Sequence, residues 1–490
     1  MKLLFASSEV YPLVKTGGLA DACSGLVVAL RDMQQEVQLV LPAYADALDR
    51  VDDIEQLATL DVEGCGLRRQ ARILRGGVSS LAGPVLLVAI DDLFDRPGNP
   101  YQNSAGEDWW DNGERFGLFS RVVAELAMNR AGLNWQPDVV HCHDWQTGLV
   151  PAWLQLEPSH PRTLFTIHNL AYAGLFPYEL FHGLGLPEEW WHFSSLEFYN
   201  NLSMLKAGIV CADQLTTVSP SYAEEICSPE QGFGLHETLL KRRKQGQLHG
   251  IINGMDTSVW NPATDPLIPY HYSEHRGRVA QKKRNKQVLL EQISAGQTTP
   301  EAPLCGFVGR LVEQKGIDLI TAVIPALIES SESCFVIVGT GQVAYEQQLR
   351  LLAEQYPERV FVHIGYSESL AHLVEAASDL FLMPSRFEPC GLNQMYSQAY
   401  GTPPVVHATG GLKDTVVDAN ETTLTEGDAT GFTFDAPEPS SLYAAIERAL
   451  TLFGRPRKWQ KLQKNGMRQD FGWSPSARRY LELYQSGENR

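Results

Sequence analysis

Residues 304–338 read LCGFVGRLVEQKGIDLITAVIPALIESSESCFVIV. Two continuous apolar runs, Leu304–Val308 and Cys334–Val338, enclose a helical segment. A strand buried on both faces shows no polar alternation, so this stretch predicts strand, helix and parallel strand. The pattern continues: Val360–Ile364, Leu380–Met383 and Val405–His407 each precede a further helical segment. The first half alternates in the same way, with strand-like runs at Lys2–Ala6, Val37–Leu41, Val85–Ala89, Asp138–His143, Thr163–His168 and Gln214–Val218. Helical patterns lie between several of them, as at Leu19–Asp32 and Glu114–Ala131. The fold class is therefore α/β, with two doubly wound domains.

A chain of 490 residues exceeds what one core supports. The join is expected within 255–300, where MDTSVWNPATDPLIPYHYSEHRGRVAQKKRNK (255–286) is rich in Pro, His and charge. The basic runs KKRNK (282–286) and KRRK (241–244) read as solvated helix faces rather than nuclear signals. The last pattern, FGWSPSARRYLELYQ (471–485), predicts a docked helix, with Ser474 as N-cap, Pro475 at the first helical position, and an apolar face of Tyr480, Leu481 and Tyr484.

A net charge of −18 and a pI near 5.2 argue against nucleic acid or an anionic membrane as partner. No run approaches the length of a spanning helix, and the N-terminus reads as a first strand rather than a signal peptide. The eight cysteines form no CxxC pair, and several sit in apolar runs. Buried thiols in a reducing, cytoplasmic setting are expected, not disulfides or a zinc site.

Four elements carry chemistry. KTGGLAD (15–21) follows a strand and opens a helix, where glycines allow close approach and free N–H groups favour an anion beside Lys15. A ligand-free strand–helix turn has the same signature. GRLVEQKG (309–316) sets Arg310 at a strand end and Lys315 before a helix, two cations able to hold a diphosphate or simply lying on a surface loop. In SRFEPCGLNQ (385–394), Glu388 is placed either to accept hydrogen bonds from ligand hydroxyls or to compensate a helix N-terminus. HCHDW (141–145) and TIHNLAYAG (166–174) end two further strands. His141 and His143 share a strand face, but Asp144 points the other way, so sugar contacts are favoured over metal. His168 and Asn169 face the same crevice. GxGxxG is absent, which disfavours a nicotinamide enzyme. TGGLAD (16–21) returns as TGGLKD (409–414) with five of six positions identical.

KTGGLAD, HCHDWQTGLVP, FTIHNLAYAG, TVSPSYA, GIINGMD, GRLVEQKG, RFEPCGL and TGGLKDTV, in this order and spacing, resemble the bacterial glycogen synthases, ADP-glucose-dependent relatives of plant starch synthase. The resemblance runs over essentially the whole chain. It implies the GT-B fold, two Rossmann-like domains facing across a deep cleft: 1–258 with the terminal helix 473–490, and 259–472. It implies glucose transfer from ADP-glucose to the 4-hydroxyl of an α-1,4-glucan such as glycogen, with no cofactor and no metal. Each Gly-Gly turn would then line one wall of the cleft.

By the same resemblance Arg310 and Lys315 neutralise the ADP diphosphate, helped by the Gly391 and Leu392 backbone. Lys15 and Gly18 contact the donor, Glu388 binds glucosyl hydroxyls, and His168 and Asn253 hold the sugar near its C6 hydroxyl. Asp21, Asp144, Asn169 and Cys390 lie near sugar or acceptor, and Tyr366 stacks on adenine. Two positions depart from the wider pattern: Tyr396 stands where a second Glu is common, as in the bacterial branch, and Asn393 stands where Thr is expected. No carboxylate pair for double displacement is evident, so front-face attack with retention is expected. A UDP-glucose or sucrose-type enzyme, a pyridoxal-phosphate glucan phosphorylase and a non-catalytic glucan-binding paralogue remain alternatives at this point.

Overall fold

The computed structural model describes residues 1–275, 278–293 and 301–486. These divide into two compact units, Met1–Gly254 with the segment that starts at Trp473, and Met255–Gly472.

In the first unit the strands are β1 (Lys2–Ala6), β2 (Glu36–Pro42), β3 (Asp52–Gly64), β4 (Leu67–Val78), β5 (Gly83–Ala89), β6 (Val139–His143), β7 (Arg162–Ile167), β8 (Leu175–Phe176), β9 (Glu197–Phe198), β10 (Asn201–Ser203), β11 (Gln214–Thr217) and β12 (Leu248–Gly250). Nine of them form one sheet in the order β12-β11-β7-β6-β1-β2-β5-β4-β3, and β8, β10 and β9 form a small separate one. The six strands anticipated from sequence are all present within a residue or two. The hairpin β3–β4 was not anticipated. It pairs antiparallel from Asp52↔Gly77 to Gly64↔Leu67 and turns at Cys65-Gly66, both at positive φ (53° and 75°). That is the two-residue hairpin geometry usually signalled by Asn-Gly, and here a cysteine hides it. Much of β3 is exposed, so no long apolar run marked it either.

The terminal helix Trp473–Gln485 belongs to this unit. His141 Nδ1 shares a 2.8 Å hydrogen bond with the Tyr484 hydroxyl, Arg162 donates to Tyr484 O at 2.6 Å, and Ser476 donates to Ile252 O at 2.5 Å. Trp473 packs so closely on the helix Gly18–Asp32 that a Cβ at Gly25 would sit 1.9 Å from its indole nitrogen. The helix starts at Trp473, one residue before the expected cap, so Ser474 and Pro475 lie in its first turn.

The second unit is a six-stranded, wholly parallel sheet. Its strands are β13 (Leu304–Val308), β14 (Cys334–Gly339), β15 (Val360–Ile364), β16 (Leu380–Met383), β17 (Pro404–His407) and β18 (Phe432–Phe434), ordered β15-β14-β13-β16-β17-β18. Phe335 and Ile337 pack into one core with the helices Ile317–Ser330 and Pro439–Phe453. Cys334, Val336 and Val338 pack into the opposite core with Lys282–Ile293 and Glu368–Ala377. Successive residues of one strand thus feed two buried faces, which is why the run is continuously apolar.

KKRNK forms a solvated face only at Lys283 and Arg284. In the helix Lys282–Ile293, Lys282 and Lys286 are buried at 4% and 2% exposure. Lys282 Nζ donates to Glu375 O, Ala376 O and Thr402 Oγ1, and Lys286 pairs with Asp379. The periodicity of a basic run does not reveal that the last carbonyls of another helix, Glu368–Ala377, await donors. In KRRK the expectation fits better: Lys241, Arg243 and Lys244 are exposed.

Candidate active site

In the second unit the sheet reverses its winding between β13 and β16, and the crevice outside their C-terminal ends is the switch point where open α/β sheets take ligands. The loop after β13 carries Arg310 and Lys315; the loop after β16 carries Glu388, Cys390, Gly391 and Leu392. Lys315 Nζ lies 2.5 Å from Glu388 Oε2, which also accepts from Ser385 Oγ at 2.9 Å. The next residue, Gly316, is left-handed (φ 69°), and a Cβ there would meet Pro384 O at 2.2 Å, so the tight approach of the two loops requires glycine. Gln314, with no sequence signal of its own, stitches them together. It accepts from Arg310 Nη2 at 3.1 Å and donates to Phe387 O at 3.1 Å. Arg310 itself is exposed at the crevice.

The two Gly-Gly turns turn out to do different work. Gly410 and Gly411 are buried against the Glu388 loop: their Cβ atoms would lie 2.0 Å from Glu388 O and 2.1 Å from Cys390 O, and Gly411 N donates to Glu388 O at 3.1 Å. The second turn therefore fixes the backbone that carries Glu388. A Cβ on Gly17 or Gly18 would meet nothing within 4 Å. The first turn is open, and the matching letters conceal opposite surroundings.

Asn393 opens the helix Asn393–Ala399 and donates to Val308 O at 2.8 Å, tying that helix to the end of β13. Its amide is thereby committed to the scaffold. Tyr396 stacks on Trp260 (centroids 3.9 Å apart, 5° between planes), and Trp260 on His372 (3.8 Å, 16°). Burial works against the His372 imidazolium, but hydrogen bonds to Asp265 and Glu368 outweigh it and hold the pKa up to about 9. The position of a second Glu is thus filled by one layer of an aromatic stack. Tyr366 follows β15, is 74% exposed, and stands two strands from β13, about 10 Å along the sheet edge.

In the first unit the expected residues gather at the C-terminal edge of the large sheet: Lys15 after β1, Asp144 after β6, His168 and Asn169 after β7, Asn253 after β12. Lys15 pairs with Asp21 at 2.9 Å across the helix start. Asp144 (φ 55°) accepts from His168 N at 2.7 Å, and burial pushes its carboxyl up to about 7 despite that bond. Burial holds His168 down at about 3, so the ring is neutral at pH 7, and its Nε2 shares a 3.0 Å hydrogen bond with His143 Nδ1. Asn169 caps its own turn by accepting from Ala171 N, and Asn253 is buried. Both ring nitrogens of His141 are taken, by Tyr484 and Thr166, so it is a satisfied core histidine.

Glu9 was missed by the sequence reading. Its carboxylate accepts from Thr16 N (2.5 Å), Thr16 Oγ1 (2.7 Å), Gly17 N (3.3 Å) and the Tyr101 hydroxyl (2.5 Å). The anion favoured by the N–H groups of Thr16 and Gly17 is thus the protein's own. Glu9→Ala would strand these donors, at about 1–3 kcal/mol. We expect a lower unfolding temperature and roughly tenfold lower kcat/KM, read by thermal scan and steady-state kinetics. Glu9→Gln should recover most of the stability, because its amide oxygen can accept from Thr16 N and Gly17 N while its NH₂ donates to the Thr16 and Tyr101 hydroxyls. Unchanged unfolding in Glu9→Ala would refute the role.

Comparison with known proteins agrees with this architecture. Residues 2–241 match the family described as starch synthase catalytic domain, and residues 291–466 match glycosyl transferases group 1. Glycogen synthase of Hydrogenovibrio crunogenus is 58% identical over 99% of this chain and 100% of its own. That of Thioalkalivibrio sulfidiphilus is 50% identical over 99% of both. The catalytic domain of starch synthase IV from Arabidopsis thaliana, solved bound to ADP and acarbose, superposes with a TM-score of 0.86 at 32% identity, covering 100% of this chain and 99% of that one. A sucrose-phosphate synthase from Thermosynechococcus elongatus shares the fold (TM-score 0.59, 17% identity) over 99% and 98% of the two chains. Two Rossmann-like units of this kind define a glycosyltransferase of the GT-B fold. Among these enzymes, the chain belongs to the glycogen synthase family.

Proposed function

We propose that the protein extends an α-1,4-glucan by transferring glucose from ADP-glucose to its non-reducing 4-hydroxyl, with retention of configuration. The observation that carries this reading is the Lys315–Glu388 pair beside Arg310 at the switch point of the second unit. Glu388 binds glucosyl hydroxyls there, and Lys315 and Arg310 take the diphosphate. The bond from C1 to the diphosphate oxygen breaks, the acceptor O4 joins C1 on the same face, and the O4 proton passes to the leaving diphosphate. The two cations stabilise the charge that develops on that group, so catalysis is electrostatic and positional, with no metal assigned. From the first unit, Lys15 and Gly18 contact the donor, and neutral His168 with Asn253 holds the sugar. Asp21, Asp144, Asn169 and Cys390 serve sugar or acceptor.

Adenine is favoured by the exposed Tyr366 and by the ADP bound to the Arabidopsis relative. A cytoplasmic setting is supported by eight free cysteines, seven of them buried. Among the described residues no helix is long and apolar enough to cross a membrane.

The test is incorporation of radiolabelled glucose into glycogen from ADP-glucose and, in parallel, UDP-glucose, with EDTA in both. Incorporation from ADP-glucose that survives EDTA is expected. Incorporation from UDP-glucose alone would overturn the donor; none from either would overturn the polymerase reading.

A further inference from the structure

We propose that Cys23, His143 and His168 form a binding site for a thiophilic divalent cation, zinc foremost, whose occupation switches the enzyme off. Cys23 comes from the helix after the KTGG turn, His143 from the end of β6, and His168 from the loop after β7. Three separate elements therefore bring together the Cys23 sulfur and one ring nitrogen from each imidazole, all within 4.8 Å of one another. Zinc–sulfur and zinc–nitrogen bonds place tetrahedral ligand atoms roughly 3.5 Å apart, so side-chain shifts of about 1 Å close the site.

One hydrogen bond, 3.0 Å between His143 Nδ1 and His168 Nε2, joins the two rings, and the rest of the cluster is under-satisfied. His143 is 1% exposed, and its Nε2 has no hydrogen-bond partner among the described residues. Such an orphaned buried nitrogen calls for an explanation, and a ligand is one. The Cys23 thiol makes one weak bond, 3.3 Å to Ser7 Oγ. Cys23 and His143 are buried while His168 is partly exposed, so the ion enters past His168 and its fourth position takes water.

Binding exchanges the thiol proton for the metal: the S–H bond breaks, an S–metal bond forms, and one proton is released. It also withdraws His168 from the sugar, a consequence that rests on the function proposed above; the binding itself does not. The cation is an inhibitor, distinct from a catalytic cofactor.

The test uses the full chain after EDTA treatment and dialysis. It is titrated with cobalt(II) as spectroscopic probe and zinc(II) as ligand, beside Cys23→Ser and Cys23→Ala. The unsubstituted protein should show a thiolate-to-cobalt charge-transfer band at one equivalent, and zinc should inhibit glucosyl transfer reversibly by EDTA. Both variants should lose the band and require at least about tenfold more zinc for half inhibition. A band that persists in both variants, or equal zinc sensitivity in all three proteins, would overturn the site. Because the band is read without substrate, its outcome stands whether or not the transferase assay succeeds.

Discussion

Lys315→Ala is expected to lower kcat by about 10²–10³-fold while leaving the fold intact, the scale seen when one preorganised charge stabiliser is removed. Lys315 Nζ sits 2.5 Å from Glu388, at the C-terminal end of the central strands. In the proposed reaction it moves from carboxylate to leaving group as the donor enters, so its charge matters most when the diphosphate departs. Stability should fall by about 3 kcal/mol, because the buried Glu388 carboxylate loses its ammonium, with Ser385 still donating to it. Lys315→Arg should recover part of the loss, since the charge remains but the planar fork does not fit a site shaped for an ammonium. Steady-state kcat and KM with a thermal scan of each variant make the distinction. Turnover within tenfold of normal in Lys315→Ala would remove Lys315 from the leaving-group role.

The placement of these residues was legible because doubly wound sheets put chemistry at strand ends, and strand ends are where apolar runs stop. Arg310 after LCGFV and Glu388 after LFLM needed only that rule. Residues that act through long-range backbone contacts were not legible. Glu9 lies within eight residues of the turn it holds, yet SSEVYP carries no sign that a carboxylate will fold back onto Thr16 and Gly17. Gln314 looks like any polar loop residue until Phe387 O arrives from 73 positions away. Cys23 read as core, and it is core; only the fold brings His143 and His168 to it. The repeated TGGL shows the converse limit, where identical letters serve an open turn at 17–18 and a buried one at 410–411.

The basic run at 282–286 misled for a related reason, and it supplies the counterpart to the Lys315 prediction. Lys286 Nζ lies 2.5 Å from Asp379 Oδ2 and 2.5 Å from Ala302 O, and the same Asp379 oxygen accepts from Leu304 N at 2.9 Å. Leu304 begins β13, and Asp379 immediately precedes β16. One ammonium therefore clamps the N-terminal ends of the two strands whose C-terminal ends carry Arg310, Lys315 and Glu388. The side chains are 3% and 15% exposed, so truncating one partner leaves a mostly buried charge unpaired, at about 3–5 kcal/mol. Lys286→Ala should lower the unfolding temperature of the second unit by about 10 °C. The strand between clamp and crevice is about 17 Å long, so kcat per folded molecule should stay within a few-fold of normal. Adding Asp379→Asn to Lys286→Ala should cost less than the two single losses combined, because the charge stranded by the first change is gone in the second. A fully additive double variant would show that the pair is not coupled. Loss of kcat with no loss of stability in Lys286→Ala would mean that the far end of these strands governs the chemistry, against the division between scaffold and site drawn here.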